Sequence, residues 1–249
     1  MNQAQFNRLR PYFLENWYLP CKPFTIPAIL IPLNPDEAQE LSQSLVIPSE
    51  SHLDALNTKL AKAMRELTGE EPVFVRLGTR SPKDVSDFRA YRGRTRLSYE
   101  ALGWLRSSKR VADDLADCLR YNYPPTIAVR EWLDIPLWSE FRCFVRNGEI
   151  IGISQLHLHI EPPPEIIRAA SGIELAIHNF VSEFTHETKL WDCALDLFIK
   201  PGQLRDWDVC LIEINPMIPL TDPLLFSWQG RDMDGSFRYL TATETAAIH

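Results

Sequence analysis

The chain is 249 residues long, 45% apolar and 24% charged, which is enough for a real core in one large domain or two joined lobes. No apolar run approaches the roughly 20 residues of a membrane-spanning helix, and the polar start Met1-Asn-Gln-Ala-Gln5 does not read as a secretory signal. The net charge of −7 argues against bulk nucleic-acid binding, and five scattered cysteines with no C-x-x-C pair point to buried free thiols in a reducing cytosol.

Nineteen prolines punctuate the chain into short elements. The first 48 residues read as irregular segments plus a short strand, Ala28–Pro32. Leu53, Leu56, Leu60, Met64 and Leu67 fall at three- and four-residue spacings before Gly69 and predict a helix over Ser51–Leu67. Pro72–Leu77 reads as a strand leading into the polar turn Gly78–Asp84. The stretch Arg89–Arg110 holds six arginines and one lysine, either a solvated face or a site for phosphate or an acidic partner. Ser108 is placed to cap a helix running to Tyr121, and Thr126–Leu133 is the next strand. In Glu140–Gln155 the dipeptide Asn147-Gly148 demands a type I′ hairpin turn. Folding about it pairs Arg142 with Ile153 and Glu140 with Gln155, and puts Glu140, Arg142 and Gln155 on one face. After Pro162–Pro164 an amphipathic helix is expected to Glu187. From Gly230 onward the chain reads as a polar, frayed tail.

The last two strands carry the sharpest signal. In Leu211–Pro216 alternation puts Glu213 and Asn215 on the same side of an otherwise apolar strand. Asp196 stands alone in Ala194–Ile199, with a Pro201-Gly202 turn between the runs, so a hairpin brings Asp196 close to Glu213. Clustered carboxylates repel unless a cation lies between them, and oxygen ligands suit magnesium; a surface-facing acidic edge is the alternative. With Arg76, Lys83, Arg130 and Arg142, these residues make an inventory able to hold a nucleotide triphosphate. No P-loop, Rossmann fingerprint or kinase signature is present.

The run Pro72-Val-Phe-Val-Arg-Leu77, Ser81-Pro-Lys-Asp84, Ser107–Leu115, Val129-Arg-Glu-Trp132, Glu140–Gln155, Leu211–Met217 and Thr221–Phe226 resembles the cell division cycle protein 123 family of the ATP-grasp superfamily. The resemblance covers about Trp17 to Trp228 and implies an α+β fold of two lobes gripping ATP and magnesium between antiparallel sheets. The corresponding division is an N-terminal lobe over 1–129, a hinge over 130–134, a C-terminal lobe over 135–231 and a tail over 232–249. It implies that Asp196, Glu213 and Asn215 bind magnesium, that Arg142 contacts phosphates and is the catalytic residue of any reaction, and that the backbone of Glu131, Trp132 and Leu133 meets the adenine. Arg76, Ser81, Lys83, Arg130, Glu140 and Gln155 complete the nucleotide contacts.

Three departures from the family pattern stand out. Arg76 replaces the usual lysine, Leu156 and His157 replace Arg and Asp after Gln155, and little follows Phe226; together they suggest a divergent, bacterial relative. His157 and His159 alternate as on a strand and share a possible site, though a third metal ligand is not evident. Two functions follow from the resemblance. One is a cytoplasmic ATP-dependent assembly factor or binding module for a protein partner, a translation initiation factor 2-like protein in the family. The other is a carboxylate–amine ligase working through an acyl phosphate.

Overall fold

The computed structural model describes residues 1–43, 50–201, 207–230 and 232–240. The chain divides into two units. The first comprises Met1–Leu19 and Ile26–Leu133, the second Pro20–Thr25 and Asp134–His249.

In the first unit, β1 (Ala28–Pro32), β2 (Val73–Leu77), β3 (Arg94–Thr95) and β4 (Thr126–Glu131) form a sheet in the order β1-β4-β2-β3, all antiparallel. Helices α1 (Gln3–Leu9), α2 (Leu14–Trp17), α3 (Pro35–Ser42), α4 (Glu50–Thr68), α5 (Ser86–Ala90), α6 (Ser98–Ser107) and α7 (Lys109–Arg120) complete it. The ladder is regular, so alternation sorts the side chains without exception. Val73, Val75, Leu77, Ile127 and Val129 pack into one core with Leu56, Leu60 and Met64 of α4 and Leu105 of α6. The expected heptad-like spacing of α4 is therefore the stripe that covers this sheet. Arg76 and Arg130 alternate to the other face, where both are buried. Ser108 caps α7 as expected, accepting from the Val111 amide at 3.1 Å.

The second unit holds β5 (Glu140–Arg146), β6 (Glu149–Gln155), β7 (Cys193–Pro201), β8 (Trp207–Asn215) and β9 (Phe237–Arg238), in the order β8-β7-β5-β6-β9. Asn147 and Gly148 turn the β5–β6 hairpin with φ of 52° and 80°, the left-handed pair that a type I′ turn requires. The helix expected after the prolines is two pieces, α8 (Pro164–Arg168) and α9 (Ala170–Thr188). Ile173, Ile177, Val181 and Phe184 of α9 are buried. Phe24 meets Phe184 edge-on with ring centroids 5.6 Å apart, and the Thr25 hydroxyl donates to the Leu211 carbonyl at 2.7 Å. Those contacts explain why Pro20–Thr25 belongs with this unit.

Two expectations are corrected here. The residues after Gly230 are not a frayed tail throughout, because Phe237–Arg238 pairs parallel to β6 and Leu240 is buried. His157 and His159 lie in a turn beyond β6 rather than on a strand. The Gly202 half of the expected β7–β8 turn lies outside the described residues. Four of the five cysteines are buried and all are free, as composition implied; burial pushes the Cys21, Cys118 and Cys193 thiols up to about 12. Among the described residues no helix is long and apolar enough to cross a membrane.

Candidate functional site

In the second unit Arg142 stands opposite Asp196, and Asp196 stands opposite Glu213, so three charged residues cross β5, β7 and β8 in one row. A β-bulge makes this possible. From the Trp207 end the β7–β8 ladder runs in step to Leu197 and Leu211, and an unbroken continuation would set Asp196 against Ile212. The bulge takes up Ile212 as the extra residue and delivers Glu213 to Asp196 instead. Asn215, two residues on, donates its amide to Asp196 Oδ2 at 3.0 Å.

Arg142 clasps Asp196 with two parallel bonds, Nε to Oδ1 at 2.7 Å and Nη2 to Oδ2 at 2.9 Å. Its Nη1 donates to the Asp222 carbonyl at 2.9 Å. Burial opposes the charge of Arg142, but the hydrogen bond and charge of Asp196, with Glu213 and Asp222 beyond, hold its pKa above the ordinary guanidinium value. Side-chain exposure is 11% for Arg142 and 8% for Asp196. At that burial the desolvation of both ions offsets most of their attraction, so stability alone is a poor reason for the pair.

A second bulge, between Phe144 and Val145, alters the β5–β6 register. Arg142 faces Ser154, not Ile153, and Gln155 pairs with Phe141. Gln155 is therefore on the opposite face from Glu140 and Arg142, contrary to the reading from the turn. It is fully buried and bonded to backbone: its amide donates to the carbonyls of His157, at 2.8 Å, and Ile160, and its oxygen accepts from the Leu240 amide at 3.0 Å. Glu140 does share the face of Arg142, but its carboxylate meets His157 Nε2 at 3.0 Å. Beside the row, Gly152 lets the Phe226 ring lie on the sheet; a Cβ there would come within 2.7 Å of it. Phe144, Ala194 and Phe226 make an apolar cluster at this end.

The first unit positions its own set. Arg76 donates Nε to the Leu77 carbonyl at 3.0 Å and feels the nearby Glu15 carboxylate. Burial raises the Glu15 pKa, opposed by hydrogen bonds from its own backbone and Tyr123 and by the charge of Arg76. Ser81 is buried and Lys83 exposed in the loop after β2. Asp84 ties that loop to the start of α7, accepting from the Ser108 hydroxyl at 2.5 Å and the Arg110 amide at 3.2 Å. At the end of β4 the Glu131 and Trp132 amides donate to the Pro27 and Pro72 carbonyls, at 3.1 and 3.3 Å. The Trp132 indole donates to the Arg92 carbonyl at 3.2 Å, with the Arg94 guanidinium 5.2 Å over its ring. Within Arg89–Arg110 every cation except Arg106 is exposed.

Sequence reasoning missed two participants. The Asp222 carbonyl is a backbone group that residue identity does not mark, and no local pattern pairs His157 with Glu140, seventeen residues earlier. Among the described residues no three His, Cys, Asp or Glu side chains gather as a metal site. The row does offer two facing carboxylates and the Asn215 amide, a set that fits magnesium, which takes one or two carboxylates and fills its octahedron with water and phosphate oxygens. The Arg142 guanidinium lies on Asp196 as a stand-in cation.

Comparison with known proteins agrees with this architecture. The sequence profile of the D123 family matches residues 33–244. A cell division cycle protein 123 of Eremothecium gossypii is 32% identical over 63% of this chain and 45% of its own length. A translation initiation factor eIF2 assembly protein of Dictyostelium discoideum is 26% identical over 73% and 48%. The chain thus spans about half the length of these curated relatives. The structure of Cdc123 from Schizosaccharomyces pombe superposes with a TM-score of 0.72 at 25% identity, covering 89% of this chain and 90% of the other. A C-terminally truncated form of that protein superposes at 0.73 and 24%. The mixed α+β fold expected of an ATP-grasp relative is the fold found, and the chain belongs to the D123 family.

Proposed function

We propose that the chain binds ATP with magnesium and, in that state, acts in the cytoplasm as an assembly factor for a protein partner resembling translation initiation factor 2. The observation that carries the nucleotide reading is the row Arg142–Asp196–Glu213, with Asn215 beside it, on one face of the second sheet, Asp196 buried and the other three half-buried. Asp196, Glu213 and Asn215 would hold the metal, and Arg142 would bind phosphate oxygens through its planar fork. Bound magnesium supplies neutralisation of the terminal phosphates. The family resemblance, rather than any geometry between the units, adds Arg76, Ser81, Lys83, Arg130 and Glu140 as further nucleotide contacts. The Glu131 and Trp132 amides donate to the Pro27 and Pro72 carbonyls, so of the three adenine-facing residues that the resemblance implies, we assign the donor to Leu133. The assembly reading rests on family membership and on relatives named as eIF2 assembly proteins.

Calorimetry with ATP and magnesium, on the wild type and on the Asp196→Ala, Glu213→Ala double variant, tests the first part. Binding by the wild type that is lost in the double variant is expected; no heat from the folded wild type would sink the reading. Capture of translation initiation factor 2 subunits with and without ATP tests the second part. Capture that needs ATP supports it, and equal or absent capture in both counts against it.

A further inference from the structure

The Arg142 fork uses both oxygens of Asp196, the central residue of the row. Asn215 adds a third donor to the same carboxylate. A divalent cation approaching Asp196 meets a fixed positive charge bonded to the ligand it needs, in a buried setting where screening is weak. We infer that Arg142 closes this site to free divalent metal, so that the cation enters only with a polyphosphate whose oxygens draw the guanidinium off Asp196. The inference rests on the nucleotide reading above and deepens it. The ligand class is a metal–polyphosphate complex, not the ion alone.

The chemistry of the exchange balances without any covalent step. Two guanidinium–carboxylate bonds and the water or counter-ions of the incoming complex are given up. Asp196 and Glu213 would then hold the cation, and the guanidinium would fork phosphate oxygens instead of the Asp196 carboxylate. Glu213 faces Asp196 across the bulge and Arg142 feels its charge, so the row keeps two carboxylates for the metal once the fork has left. In the closed state the Arg142 Nη1 is held by the Asp222 carbonyl at 2.9 Å, a third bond that the exchange would also have to give up or keep.

The test is manganese binding to the full chain, read as protein-retained manganese in equilibrium dialysis, with manganese alone and with the manganese–tripolyphosphate complex on both sides of the membrane. The wild type is expected to bind manganese at least tenfold more tightly when tripolyphosphate is present. Arg142→Gln is expected to bind manganese alone at least tenfold more tightly than the wild type, and Arg142→Lys, a single-point cation, to fall between. Equal binding of manganese alone by wild type and Arg142→Gln overturns the inference. So does wild-type binding that tripolyphosphate leaves unchanged, a readout that needs no variant to fold. The two readings fail separately. A wild type that takes up magnesium ATP but also binds free manganese as tightly refutes the closure and leaves the nucleotide site standing. A wild type that ignores ATP while Arg142→Gln gains manganese affinity does the reverse.

Discussion

The two sheets solve different problems with the same alphabet of strands. In the first unit the ladder is regular from Val73 to Leu77 and from Ala28 to Pro32, and its faces follow directly from alternation: aliphatic side chains against α4 and α6, Arg76 and Arg130 opposite. In the second unit both hairpins carry a bulge, one after Phe144 and one after Asp196. Each bulge changes which residue crosses from which strand, and the residues so rearranged are Arg142, Asp196, Glu213 and Gln155. Regular pairing builds a scaffold; irregular pairing aims side chains.

Breaking the irregular sheet should cost most. Phe144 is fully buried next to its bulge and packs edge-on against Phe226 and Trp228 at 5.8 and 5.9 Å. Phe144→Ala is expected to lower stability by about 3–5 kcal/mol, read from urea midpoints, because a large cavity opens under the row. A loss below about 1 kcal/mol would mean that this cluster does not brace the bulged sheet. In the regular sheet, Leu60→Ala on α4 should cost about 2–5 kcal/mol by the same mechanism, because Leu60 is fully buried in the core shared with the strands that carry Arg76 and Arg130. A loss below about 1 kcal/mol would mean that the α4 stripe does not brace the regular sheet.

A smaller effect sharpens how the loop after β2 is held. Ser108→Ala removes the α7 cap and the bond to Asp84 together, and a loss of about 0.5–2 kcal/mol is expected from thermal unfolding. No loss would show that the Asp84 tie is idle. The smallest expected effect concerns pH. Burial raises the Glu15 pKa, so the native state favours its protonated form, and the charged carboxylate costs stability as pH rises from about 4.3 through the raised value. Glu15→Gln should therefore gain stability relative to the wild type between about pH 4 and pH 7. A wild-type to variant difference that is flat over that range would contradict the assignment.

What could be read from the residues alone divides along the same line. The α4 stripe, the Ser108 cap, the Asn147-Gly148 turn and the common side of Glu213 and Asn215 all depend on local periodicity or a single residue's stereochemistry, and each is present as expected. The position of Gln155 was misread because counting from a turn assumes an unbroken ladder, and nothing in Ile150-Ile151-Gly152 marks Ile151 as the residue to be bulged out. Strand β9 escaped notice because two residues are too few to show alternation, and its partner β6 lies more than eighty residues earlier. The same holds for Pro20–Thr25, whose place with the second unit is set by Phe24 and Thr25 finding partners near residues 184 and 211. The Asp196–Glu213 pairing was reached from sequence as a proximity only; the bulge at Ile212 is what makes it a facing pair.

The most direct measurement is anomalous scattering from crystals of the full chain grown with manganese and a non-hydrolysable ATP analogue. The account predicts a single strong manganese peak within about 2.0–2.3 Å of carboxylate oxygens of both Asp196 and Glu213, with the Arg142 guanidinium moved from Asp196 onto phosphate. A manganese peak away from that pair, or an Arg142 still forked on Asp196 beside bound nucleotide, would contradict it.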